Sequence, residues 1–444
     1  MSERAMPCSL EAEESLLGNM ILYPDAVRET VEAGLLKDDF YYEKHRKIYS
    51  VMSSMYERKE TVDQVSLIAR LKALNVFDSF GGTEFITHLI NSTISNVNTK
   101  DYIQILKNKS YARQMINVSS KIAEDAYMSN LEIGDLLDQA EQSILNITRS
   151  RAMSDFKKGG DVFNEALAKI QKISEQGDAI TGVRSLYSDL DRMTTGFQKG
   201  DFIILAARPS VGKTALALNF ALNAASVAQG AVAIFSLEMP AEQLATRMMS
   251  AKSRVPGQKL RTGKLDNDDW SKVNEAISEL RKQSIYIDDT PGVKINDIFA
   301  KCRTLKRDTE ISLIIIDYIQ LIRGSGRVES RQQEVSEISR NLKALAREID
   351  VPVIALSQLS RSVEKRDDKR PMLSDLRESG SIEQDADLVM FIYRDEYYNR
   401  KDDEERQATE EVELNLAKHR NGPTGMVKLV FERELNAFYG YKNM

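Results

Sequence analysis

The chain reads as an α/β protein: a mainly parallel sheet with helices on both faces, preceded by an all-α N-terminal domain. Two observations predict this. From about residue 183 onward, short β-rich apolar runs alternate with helical stretches. Runs that are apolar nearly throughout belong to strands buried on both faces, which is the habit of parallel sheets. Ahead of them, apolar side chains recur at three-to-four spacing, the mark of amphipathic helices.

Composition sets the frame. At 444 residues the chain exceeds one compact core, and two or three domains are expected. Hydrophobic residues at 42% and charged residues at 29% are ordinary for a soluble protein. The longest apolar runs, such as 311–316, are far too short to span a membrane, so no membrane partner is expected. No basic segment leads into an apolar stretch at the N-terminus, so no signal peptide is expected and a cytoplasmic protein is. Two cysteines, Cys8 and Cys302, suit a reducing compartment. With His45, His88 and His419 scattered, they suggest no zinc site. The net charge of −6 disfavours a surface that coats DNA throughout, yet leaves room for a local basic channel.

Four parts follow along the chain. Residues 1–100 form the helical domain, in which Ser9 is placed to cap a helix whose first turn carries Glu11, Glu13 and Glu14. Gly81-Gly82 breaks the chain before a helix over 83–91. Residues 101–150 predict a helical hairpin, with arms at 101–128 and 132–148. Its apolar face serves either packing within its own domain or oligomerisation. Residues 151–182 are a linker: a polar stretch with Gly159-Gly160, then a helix over 162–176 capped by Asp161. That helix carries an apolar stripe, which docks either on its own domain or on a neighbouring subunit. Residues 183–444 are the sheet domain, with strands expected at 202–207, 231–237, 285–288, 312–317, 352–357, 388–393, 412–417 and 426–431. Asn421-Gly422-Pro423 joins the last two as a terminal hairpin.

The strongest local signal is Ala207-Arg208-Pro209-Ser210-Val211-Gly212-Lys213-Thr214. It leaves a predicted strand and opens a predicted helix, the context a phosphate-binding P-loop requires. Backbone N–H groups there can wrap phosphates, Lys213 can reach the β- and γ-phosphates of ATP, and the Thr214 hydroxyl can bind Mg²⁺. Ala207 stands where the motif usually has its first glycine, which demands a backbone angle open to alanine.

Asp317 ends an apolar strand after this loop, where its carboxylate can hold Mg²⁺ through water. Tyr318, not a second acid, follows it, so a general base must come from another strand end. Glu238 is the candidate, able to orient and deprotonate the attacking water; the competing reading is an acid satisfied by a helix dipole. Gln358, at another strand end, either senses the γ-phosphate or is a polar residue leaving a sheet edge.

Taken in order, further segments sharpen the picture: 11–18, 236–239, 317–321, 332–335, 355–361, 376–387 and 418–422. With the phosphate loop they resemble the DnaB-type replicative helicases, RecA-like P-loop motors of the bacterial cell, over nearly the whole chain. A bacteriophage-encoded member would look much the same. The resemblance implies a homohexameric ring, ATP-driven 5′-to-3′ translocation on single-stranded DNA, and unwinding at the replication fork. It implies that Lys418 and Arg420 act in trans on a neighbour's phosphates, and that Arg247 belongs to the nucleotide site. It also implies a primase that engages the N-terminal collar, and a helicase loader.

DNA contacts are expected from two loops, 323–331 and 361–380. Arg377 and the Gly380 backbone N–H suit phosphate, and Glu378 orients the loop. The basic run 365–370 reads as a solvated, mobile loop. Neither loop offers an aromatic platform, so grip should be directed at the DNA backbone. Two rivals stay open: a recombination ATPase that coats DNA, which does not usually carry this helical N-terminal domain, and a RecA-like ring without helicase activity, which the segment 376–380 disfavours.

Overall fold

The computed structural model describes residues 5–77, 81–93, 98–128, short pieces between 133 and 147, 159–176, 180–228, 230–324, 330–376, 380–399 and 408–441. The chain divides into two compact units, Met1–Ala166 and Leu167–Met444.

The first unit is helical: Leu10–Leu22, Pro24–Glu32, Glu43–Glu57, Gln64–Ala73, Gly82–Asn91 and the long Thr99–Met128. Leu16, Leu17, Met20, Ile48, Met52, Leu67 and Leu89 form its core, each fully buried. Gly18 lets two of these helices touch, since a Cβ there would lie 2.1 Å from the Leu89 carbonyl oxygen. Ser9 is the N-cap residue of the first helix, but its side chain makes no capping bond. The first-turn Glu13 works differently from a dipole partner. It is buried, and its carboxylate accepts the Tyr41 N–H at 2.7 Å and bonds His45 Nδ1 at 2.7 Å. Of the expected second arm, 132–148, nine residues between 133 and 147 are described, each of them helical, and the polar linker stretch up to 158 lies outside the described residues. The next helix is Gly159–Gln176, so it begins before Asp161, which is an interior residue and not its cap.

The second unit is built on a nine-stranded sheet in the order β3-β2-β4-β5-β1-β6-β7-β8-β9. The strands are β1 Phe202–Ala207, β2 Ala231–Ser236, β3 Ile285–Asp288, β4 Ile311–Asp317, β5 Val353–Gln358, β6 Leu388–Tyr393, β7 Thr409–His419, β8 Gly425–Glu432 and β9 Ala437–Gly440. β1 to β6 pair parallel, and β6 to β9 continue antiparallel. Eight strands fall where the apolar runs predict them; β9 is additional. Ile203, Leu205 and Ala207 face one core with the helix Lys213–Val227, while Phe202, Ile204 and Ala206 face another with the helices Ile295–Asp308 and Arg331–Ile349. A strand with both faces covered has no polar face to alternate, which explains the continuous apolar runs. No helix among the described residues is long and apolar enough to cross a membrane.

Candidate nucleotide site

Parallel strands bring their C-terminal ends to one sheet edge, and the predicted phosphate chemistry gathers there. β1 ends at Ala207, whose backbone is ordinary strand, so alanine replaces glycine without strain. The loop then makes its turn through Ser210 (φ 64°) and Gly212 (φ 114°) before the helix starts at Lys213. A Cβ at Gly212 would meet the Phe438 ring at 3.4 Å in a left-handed backbone, so glycine fits both demands. Beneath the loop, Arg394 donates to the Val211 carbonyl at 3.0 Å while buried against Glu410 at 2.8 Å. The turn is therefore held from behind, with Pro209 and Ser210 exposed in front.

Lys213 and Thr214 open the helix. The Thr214 hydroxyl donates to Asp317 Oδ2 at 2.7 Å. Asp317 is buried at the end of β4, and its other oxygen, Oδ1, has no hydrogen-bond partner. A buried carboxylate oxygen left over beside a hydroxyl is a hard all-oxygen donor set, which fits a divalent cation such as Mg²⁺. Lys213 Nζ lies 4.6 Å from the centre of the Tyr318 ring. Burial pulls the Lys213 ammonium below its usual pKa, and Asp317 and Glu238 partly restore it. Burial likewise lowers Arg247, with the same two carboxylates opposing. Tyr318 is raised by burial, then by Glu238 and Asp317. Lys213, Arg247, Asp317, Glu238 and Tyr318 thus share one electrostatic neighbourhood. Glu238 itself is exposed, just past β2 and ahead of the helix Ala241–Ser253. Glu238 is thus a solvated carboxylate in the electrostatic field of two partly desolvated cations.

Gln358 ends β5, exposed beside Ala207 in the register of the sheet. Gln320 braces it: its Oε1 accepts the Gln358 N–H at 3.4 Å and its Nε2 donates to Ser357 Oγ at 3.0 Å. Gln320 therefore belongs to this site. Its segment, 317–321, stands out in the sequence, but its role shows only in the fold.

Arg208 has its side chain engaged outside the loop. Its side chain is buried and donates to Glu364 Oε1 and the Leu359 carbonyl, both at 2.8 Å. Only its backbone is left to serve the phosphate loop. The basic run 365–370 departs from a solvated, mobile loop. Arg366 pairs with Asp375 at 2.8 Å, Arg370 with Glu413 at 2.8 Å, and Lys369 donates to the Tyr398 carbonyl at 3.0 Å.

Lys418 and Arg420 sit elsewhere. Lys418 Nζ donates to the Glu383 carbonyl at 2.6 Å, and burial, then Arg420, lowers its pKa. Arg420 reaches Asp387 Oδ1 at 3.3 Å and stays half-exposed. The same carboxylate accepts the N–H of Phe202, the first residue of β1, at 2.8 Å. These cations therefore occupy the sheet edge opposite the phosphate loop. Arg377 and Glu378 lie outside the described residues; Gly380 begins the short helix Gly380–Asp385.

The family model described as the DnaB-like helicase C terminal domain matches residues 182–440, and the DnaB-like helicase N terminal domain matches residues 5–108. The replicative DNA helicase DnaB of Geobacillus stearothermophilus is 49% identical over 438 residues, 98% of this chain and 95% of that protein. The replicative DNA helicase DnaC of Bacillus subtilis (strain 168) is 47% identical over 439 residues, 99% of this chain and 96% of that protein. A solved DnaB-like replicative helicase, described with its interactions with primase, aligns at TM-score 0.78 and 36% identity over 98% of this chain and 100% of that one. With a phosphate loop on a parallel sheet, a helical domain before it and relatives matched end to end, the chain belongs to the DnaB-like replicative DNA helicase family.

Proposed function

We propose that this chain is one subunit of a homohexameric ring that hydrolyses ATP to move 5′-to-3′ along single-stranded DNA and part the duplex ahead of it. The observation that carries the reading is the division of phosphate-binding groups between two edges of one sheet. Lys213 and Thr214 lie past the C-terminal end of β1, while Arg420 is tied to its N-terminal end through Asp387. A strand of this length spans about 17–20 Å, beyond an arginine's reach, so cations of this kind complete a nucleotide site only on a second copy.

In this reading the loop N–H groups of residues 207–214, with Lys213, cradle the phosphates of ATP. Thr214 and Asp317 would hold Mg²⁺, which when bound neutralises phosphate charge. Glu238 takes the proton of the attacking water, and Gln358 registers the γ-phosphate. Arg247 adds positive charge beside Asp317 and Glu238. Arg420 and Lys418 of the adjacent subunit stabilise charge on the transferring phosphoryl group. Arg377 and the Gly380 N–H take DNA phosphates, with Glu378 orienting them. A primase on the N-terminal collar and a loader that places the ring on DNA complete the set; the primase is supported by the related structure described with one.

The deciding experiment is unwinding of forked DNA with ATP and Mg²⁺. A 5′-tailed fork should open and a fork with only a 3′ tail should not. Opening from the 3′ tail alone, or hydrolysis stimulated by DNA with no unwinding, would overturn the reading.

A further inference from the structure

Arg208 belongs to the phosphate loop, yet its guanidinium is spent elsewhere. It is 7% exposed, and its two bonds, to Glu364 Oε1 and to the Leu359 carbonyl, both measure 2.8 Å. Both partners lie on the segment that leaves β5 after Gln358 and runs to Leu376, immediately before Arg377.

That segment is closed on itself. Arg366 donates to both oxygens of Asp375, at 3.2 and 2.8 Å. The same carboxylate accepts the Met372 N–H at 2.8 Å, and the Asp375 carbonyl accepts the Ser360 N–H at 3.3 Å. Asp375 is buried, so these bonds are poorly screened. A planar guanidinium holding two acceptors in fixed directions is a stiff connector, unlike a lysine ammonium. Beside it lies a cleft of about 480 Å³, lined by Arg208, Tyr318, Gln320, Gln358, Arg361 and Asp375 among others.

We propose that Arg208 is a positioning residue that transmits nucleotide occupancy from the phosphate loop, through Glu364, to the DNA-contacting stretch beyond Leu376. ATP phosphates on the backbone N–H groups of the loop fix where the Arg208 side chain starts; Glu364 and Leu359 carry that position into the segment. The inference rests on the reading of Arg377 and Gly380 as DNA contacts. Its content is a coupling: nucleotide tightens DNA binding by some factor, and DNA tightens nucleotide binding by the same factor. Without the Arg208–Glu364 bond each site should still bind, but independently.

The test uses the full-length protein, a fluorescent oligothymidylate and a non-hydrolysable ATP analogue. The Kd for DNA is measured with and without analogue, and the Kd for analogue with and without DNA. The parent should show reciprocal coupling of about fivefold or more. Glu364→Ala should bring both ratios near one while leaving ATP hydrolysis without DNA close to the parent; the melting temperature should fall, because the buried Arg208 charge loses its partner. Glu364→Gln keeps an acceptor and should recover part of the coupling. Arg208→Lys cannot make both bonds and should lose it, a second route should Glu364→Ala fold poorly. Ratios within twofold of the parent in Glu364→Ala, or no coupling in the parent, refute the proposal. Arg377→Ala, run in parallel, separates the two ideas. Unchanged DNA affinity there removes the DNA-contact assignment, whereas lost affinity there with intact coupling in Glu364→Ala removes the role of Arg208 alone.

Discussion

Arg420 and Lys213 stand at opposite ends of strand β1. Asp387 accepts the Arg420 guanidinium on one oxygen and the N–H of the strand's first residue, Phe202, on the other, while Lys213 opens the helix beyond the strand's last residue, Ala207. A protomer with both residues intact therefore cannot bring them together alone. If they meet on one nucleotide, Lys213→Ala and Arg420→Ala proteins should each be nearly inactive, and mixing them should restore hydrolysis. In an equal random mixture about a quarter of interfaces would pair two intact residues, which sets the ceiling. The check is ATPase rate against mixing ratio in rings shown by mass spectrometry to contain both variants. A flat line at background would remove the assignment in trans.

The exposed Glu238 makes a separable prediction. Its carboxylate raises the pKa of Lys213, Arg247 and Tyr318, so it lies in their field, but no described contact commits it to structure. Glu238→Gln preserves shape and removes basicity. ATP affinity should hold within severalfold while turnover falls by about 10²–10⁴. Turnover within threefold of the parent would assign the carboxylate to the helix end instead.

Legibility of the molecule follows burial and chain distance. β1 and β4 to β6 can be read because, buried on both faces, they are apolar without alternation. β9 cannot: its Phe438 shows a role only when set beneath Gly212. The strand-end positions of the loop 207–214 and of Asp317 are legible because the residue pattern itself marks a strand, a turn and a helix start. What Arg208 does is not, because Glu364 lies 156 positions away in sequence. The run 365–370 looks free in sequence because spacing alone does not say which carboxylate a cation meets; Asp375 and Glu413 become its partners only through the fold. Asp161 reads as a cap because Gly159-Gly160 resembles a break, yet a first helical turn tolerates both glycines.

Lys213 carries a further expectation, for stability. Its ammonium is held below the ordinary lysine pKa, chiefly by burial. The folded, nucleotide-free protein thus binds that proton less tightly than the unfolded chain does. The charge therefore opposes folding at neutral pH, and the penalty fades as pH rises through the lowered folded-state value toward the unfolded one. Lys213→Met should accordingly leave the nucleotide-free protein as stable as the parent or more so. It should also abolish the rise in melting temperature that saturating ATP gives the parent. A thermal melt at neutral pH with and without nucleotide measures both. A less stable nucleotide-free variant, or a preserved ATP-induced rise, would contradict the account.

The last prediction concerns Glu13. Its carboxylate is 1% exposed and serves three partners: the N–H groups of Tyr41 and Tyr42, at 2.7 and 3.4 Å, and His45 Nδ1 at 2.7 Å. His45 is buried too, stacked on Phe85 with ring centres 5.9 Å apart. One acidic side chain therefore ties the helix Leu10–Leu22 to the start of the helix Glu43–Glu57 and, through the imidazole, to the helix Gly82–Asn91. Glu13→Ala would strand these polar groups in an apolar interior where water does not replace the carboxylate. The cost should be about 3 kcal/mol to the N-terminal unit. Glu13→Gln keeps one acceptor oxygen and should cost roughly half as much. Hydrogen exchange reads this locally: amides of residues 10–22 and 43–57 should lose about two decades of protection in Glu13→Ala, since each decade corresponds to about 1.4 kcal/mol. Amides of β1 and β4 in the motor should keep theirs. Protection of residues 10–22 unchanged within tenfold would mean that the buried carboxylate holds nothing together.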